Sequence, residues 1–163
     1  MGILVISTWV LGPAIQAGAE TLKCKLVATA TKEERMEVGY EKEHFHVLSK
    51  MEGLAYCENG EIAKARADGI SDFAPGKGSQ AIGYNFFTFE DGSTFVIKYQ
   101  RSVVYDESRR GSAKSSSEII KGTGRFEGIK GTSTSTGKNF QRTTEEPTRA
   151  FTEIIFTYTL PTK

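Results

Sequence analysis

Beyond Leu22 the chain runs in short β-branched and aromatic stretches cut by glycine, and no segment keeps apolar residues at helical spacing for long. That pattern predicts an all-β protein. The clearest unit is residues 81–89, then Glu90-Asp91-Gly92, then 93–104: two long runs around an Asp-Gly turn, where glycine supplies the positive φ of a tight hairpin. Further strands are predicted over 22–31, 36–40, 44–52, 54–58, 62–70, 115–121, 132–140 and 150–160, and Asn59-Gly60 marks a second tight turn.

Many strands and no helix long enough to cover a sheet must bury their apolar sides against one another, as a barrel or a sandwich. Closure removes exposed edges, which favours the barrel. Ala63, Ala65 and Ala67 share one face of their strand, where small residues suit an inward wall at a narrow end or beneath a pocket, and Lys64, Arg66 and Asp68 form the solvated face opposite. By the same two-residue period, Phe95, Ile97 and Tyr99 form one apolar face, and Ile154, Phe156, Tyr158 and Leu160 form another. Segments 106–117 and 132–144, rich in Ser, Thr, Gly and Arg, read as exposed loops or edge strands. Within the first of them, Arg109 and Arg110 beside Asp106 and Glu107 read as a solvated turn rather than a basic patch.

A length of 163 residues fits one domain, and 21 Lys and Arg against 20 Asp and Glu argue against a partner bound through its phosphates, so no nucleic acid is expected. The first 19 residues carry no charged side chain. Residues 3–11 form an apolar core, Gly12 and Pro13 break it, and Ala17-Gly18-Ala19 places small residues where a signal peptidase cuts. The expected organisation is a signal peptide over 1–19 and one β-barrel domain over 20–163, secreted or periplasmic, with no membrane in the mature form. An uncleaved anchor helix or a mis-called start codon are the other readings of this leader. Cys24 and Cys57 are the only cysteines: a disulfide if the chain is exported, or two buried thiols.

The run Gly122-Thr123-Gly124-Arg125-Phe126-Glu127-Gly128-Ile129-Lys130-Gly131 has glycines where the backbone must turn tightly, and one helical turn would aim Phe126 and Ile129 the same way. We read it as a strand, a short helical plug that closes a barrel end, and another strand, built on Gly122, Gly124, Phe126, Gly128, Ile129 and Gly131. Its spacing matches neither phosphate-binding glycine motif. Together with Phe89-Glu90-Asp91-Gly92-Ser93 and Gly60-Glu61-Ile62-Ala63, this run resembles bacterial members of the allene oxide cyclase barrel-like family, and its Gly-Thr-Gly-x-Phe core is similar to plant dirigent proteins. The resemblance covers about residues 36–160 and implies an eight-stranded antiparallel barrel of lipocalin-like shape. It further implies small hydrophobic or phenolic ligands, in some members cyclisation or radical coupling without a cofactor, and frequent dimers or trimers. The Asp-Arg-x-Ser-Pro segment of the plant cyclases has no counterpart here, so no catalytic residue carries over.

His44 and His46 face the same side of a strand and are either metal ligands or surface residues beside Glu41, Lys42 and Glu43. With no third histidine the chain lacks a complete transition-metal set, and neither a metal nor another cofactor is expected. Tyr56, Tyr84, Tyr99 and Arg101 are the candidate ligand-binding residues, each carrying a polar tip on a large body. The function expected is an exported, cofactor-free barrel that binds a small hydrophobic molecule or serves a structural role in the envelope. The alternative is a cofactor-independent isomerase or cyclase. Whether the interior is filled or holds ionisable groups around a cavity separates these readings.

Overall fold

The computed structural model describes residues 18–74, 76–107, 110–140 and 147–162. Most of the leader, Arg109 and the end of the 132–144 segment lie outside them. Eight strands follow in chain order: β1 (Glu20–Glu37), β2 (Phe45–Cys57), β3 (Ile62–Ala74), β4 (Gly78–Phe89), β5 (Thr94–Tyr105), β6 (Arg110–Thr123), β7 (Lys130–Phe140) and β8 (Arg149–Thr159). Each pairs antiparallel with the next, and β8 pairs with β1, so the sheet closes into a barrel and the expected fold class holds.

Three boundaries differ from the sequence reading, each for a physical reason. Residues 36–40 are not a strand of their own, because β1 runs on through Lys32, Glu33, Glu34 and Arg35 to Glu37. A bulge between Ala30 and Lys32 shifts the register there. Such a bulge exchanges the faces of a strand: Leu22, Cys24, Leu26 and Ala28 are buried before it, while half-buried Glu33 and exposed Arg35 line a cavity at the far end of the barrel after it. The stretches 44–52 and 54–58 are one strand, since Gly53 is a point of contact and not a break; a Cβ there would lie 1.9 Å from the Val27 carbonyl oxygen. Most of 106–117 is likewise strand, β6, fully paired on both sides.

One end of the barrel is solid. Phe87, Phe95 and Phe156 are almost completely buried, and the Phe95 ring centroid lies 5.1, 5.7, 5.1 and 5.0 Å from those of Phe87, Phe89, Phe126 and Phe156. Phe126 comes from a 3-10 turn, Gly124–Phe126, whose chain reversals use positive φ at Gly124 (62°) and Gly128 (74°). Phe126 and Ile129 both point into the core. Above them the Arg125 guanidinium sits 4.8 Å over Phe89 and 4.7 Å over Phe126, and it pairs with Glu61 at 2.5 Å and Asp91 at 3.6 Å. One side chain thus ties the plug to the β2–β3 and β4–β5 turns. Cys24 and Cys57, opposite one another on β1 and β2 in this same core, are joined by a disulfide.

Candidate ligand-binding lumen

Moving along β5 from the plug, the inward residues are Phe95, Ile97, Tyr99, Arg101, Val103 and Tyr105, so the apolar face turns polar halfway along. Neighbouring strands make room at that level. Ser115 and Ser117 of β6 and Ser133 and Ser135 of β7 face the interior, where larger residues would have filled it. The result is a cavity of about 50 Å³ just beyond the plug and another of about 140 Å³ nearer the far end, with Ser49, Met51, Tyr99 and Arg101 lining both. Phe45, Val47, Phe73, Val103 and Tyr105 give the outer cavity apolar walls, and Phe73 meets Tyr105 edge-on at 5.7 Å.

Tyr99 lies across the wall because two glycines let it. Its hydroxyl sits where a Cβ on Gly69 would be 2.2 Å away and one on Gly83 2.6 Å away, and these residues are paired on adjacent strands. Burial pushes the Tyr99 phenol above its ordinary value, Arg101 opposes that shift and Asp68 adds to it, so the hydroxyl stays protonated at neutral pH. Arg101 donates from Nη2 to Asn139 Oδ1 at 2.7 Å. Burial lowers its pKa while Tyr99 and Tyr105 oppose the change, and the group remains a cation. Glu33 accepts from the Thr148 hydroxyl at 3.0 Å. Deeper in, the Ser133 hydroxyl is buried and has no hydrogen-bond partner among the described residues.

Of the four candidate side chains, Tyr99 and Arg101 line the lumen. Tyr56 and Tyr84 lie on the outer surface, 48% and 42% exposed. The two-residue period explains both: Tyr56 falls between buried Ala55 and Cys57, and Tyr84 is one residue out of phase with the inward Asn85 and Phe87. Glu33, Arg35, Tyr105 and Asn139 are lumen residues that the sequence reading missed. His44 and His46 converge on Asp72, which bonds His44 and lies 3.8 Å from His46; Glu41 lies 3.7 Å from His44. Among the described residues no group of three or more His, Cys, Asp and Glu side chains could hold a metal ion.

The eight strands close into an antiparallel barrel of the dirigent-like kind. Two solved structures share it: the pterocarpan synthase dirigent protein GePTS1, at 15% identity and TM-score 0.53 over 98% of this chain and 100% of that one, and the pterocarpan synthase dirigent protein PsPTS1, at 16% and 0.52 over 91% and 100%. No family profile matches the sequence, and no curated protein matches it significantly. The likeness is one of fold.

Proposed function

We propose that this chain is an exported, cofactor-free barrel that holds one small molecule in its lumen. The molecule's apolar body would rest on the Phe45, Phe73 and Tyr105 walls, with its polar head near Tyr99 and Arg101. The observation that carries this reading is the cavity of about 140 Å³ in which apolar walls meet a few convergent polar groups. A structural envelope protein would gain nothing from a half-buried guanidinium and inward serines where apolar side chains would pack more stably. The Cys24–Cys57 disulfide supports export, since such bonds persist in oxidising compartments. The same barrel serves pterocarpan synthesis in the two structural neighbours, which is an analogy of scaffold.

An isomerase or cyclase is the second reading. It is favoured by one feature, a neutral phenol and a cation side by side where negative charge on a reacting oxygen would be stabilised.

Native mass spectrometry of protein from its own host tests binding. Wild type is expected to carry a small molecule that Ala81→Phe, which fills the cavity wall, does not. A bare wild-type barrel, or equal loading of both proteins, would contradict the proposal. A loaded molecule converted to a product of the same mass, with the rate reduced in Tyr99→Phe, would favour the isomerase.

A further inference from the structure

We propose that Arg101 is an anion receptor and that the lumen takes a small aromatic carboxylate, its carboxylate on the guanidinium and its ring against Phe73 and Tyr105. This rests on the reading of the lumen as a binding site and adds the chemical class of the ligand.

Charge is the first argument. A guanidinium carries five N–H donors in a planar fork. Among the described residues Arg101 uses them on a single neutral acceptor, Asn139, and no carboxylate lies within ion-pair distance. Buried charges are normally paired, so an unpaired one inside a barrel fits a group that arrives from outside. Arg35 lines the same outer cavity and adds positive charge, and the one carboxylate among its described lining residues, Glu33, already accepts from Thr148. A cationic ligand would find no unengaged acid among these lining residues.

Valence and size come next. Tyr99 and Asn139, the neighbours of the guanidinium, are neutral, and Glu33 contributes negative charge to the same cavity. That setting favours a monoanion over a phosphate dianion. The planar fork matches a carboxylate with two parallel hydrogen bonds. The cavity of about 140 Å³ compares with the roughly 150 Å³ that accommodates benzene in an engineered protein interior, so one ring is the body that fits. Edge-to-face packing of Phe73 with Tyr105 presents aromatic surface for that ring.

The test is a calorimetric titration of the oxidised chain with benzoate, benzyl alcohol and benzylamine, alongside NMR of the Phe73 and Tyr105 ring signals. Wild type is expected to bind benzoate at least about tenfold more tightly than benzyl alcohol, as a charge-assisted contact requires, and benzylamine most weakly. Arg101→Met should remove that preference. Asn139→Asp keeps Arg101 but gives it an internal carboxylate; benzoate preference should vanish there too, while the unfolding midpoint rises. Equal affinity for benzoate and benzyl alcohol in wild type, or a preference that survives Arg101→Met, would overturn the assignment. If benzyl alcohol binds as well as benzoate and shifts the Phe73 and Tyr105 signals, the lumen is still a binding site and only the anion receptor falls. If no probe shifts them, the receptor assignment falls as well.

Discussion

The two ends of this barrel share strands but not chemistry. At the plugged end the inward positions of β4, β5 and β8 are phenylalanines packed ring to ring under Arg125, and a disulfide ties β1 to β2 beside them. At the other end the same strands turn inward Ser79 and Asn85 of β4, Arg101 of β5 and Thr152 of β8, and two cavities remain between them. Apolar burial and dense packing stabilise, whereas buried polar groups without full complements of partners cost stability. The plugged end therefore holds the fold together, and the polar lumen gives up some of that stability.

Truncating the plug gives the largest expected effect. Phe95→Ala should lower the unfolding free energy by about 4 kcal/mol, as removing a fully buried ring with four aromatic neighbours does. Urea denaturation followed by circular dichroism measures it, and a loss below about 1 kcal/mol would mean that the plug is not the stabilising end.

Next in size is the disulfide. Its sequence separation of 33 predicts a loss of about 3.7 kcal/mol for the double variant Cys24→Ala with Cys57→Ala. An unchanged midpoint would show that the strand pairing alone sets the β1–β2 register.

The smallest effect is at alkaline pH. The Tyr158 hydroxyl donates to a Glu20 carboxylate oxygen at 3.0 Å, and burial first, then that bond and the Glu20 charge, push its pKa up to about 12. The folded state holds this proton more tightly than the unfolded state, whose tyrosine ionises near 10. The contribution is thus fully present below about pH 10 and is lost as pH rises through about 12. Tyr158→Phe should unfold with a shallower decline across that window; identical declines would remove Tyr158 from the account.

What the sequence makes legible divides along the same line. The plug is visible because its residues are locally diagnostic: the Asp-Gly hairpin, the glycine-spaced Phe126 and Ile129, and two apolar faces of period two. The lumen is hidden because its residues look like exterior. Residues 32–35 fall between the strands expected over 22–31 and 36–40, and only the bulge at Thr31, which no residue pattern marks, turns Glu33 and Arg35 toward the outer cavity. The serines of β6 and β7 read as exposed loops or edge strands, although both strands are paired on both sides inside the closed barrel. Tyr99 and Arg101 were within reach, since counting by twos from Phe95 leads to both. The same count applied from Ala55 and Phe87 would have put Tyr56 and Tyr84 outside.

The division between a stabilising plug and a lumen proposed to hold a ligand is tested most directly by the stability of Arg101→Met. Replacing a half-buried cation that has no ion-pair partner among the described residues with an apolar chain of similar length should leave the unfolding free energy within about 1 kcal/mol of wild type or raise it, even with Asn139 deprived of its donor. A loss of about 3 kcal/mol or more, the size expected when a paired buried charge is broken, would mean that Arg101 holds the barrel together and is not kept for a ligand.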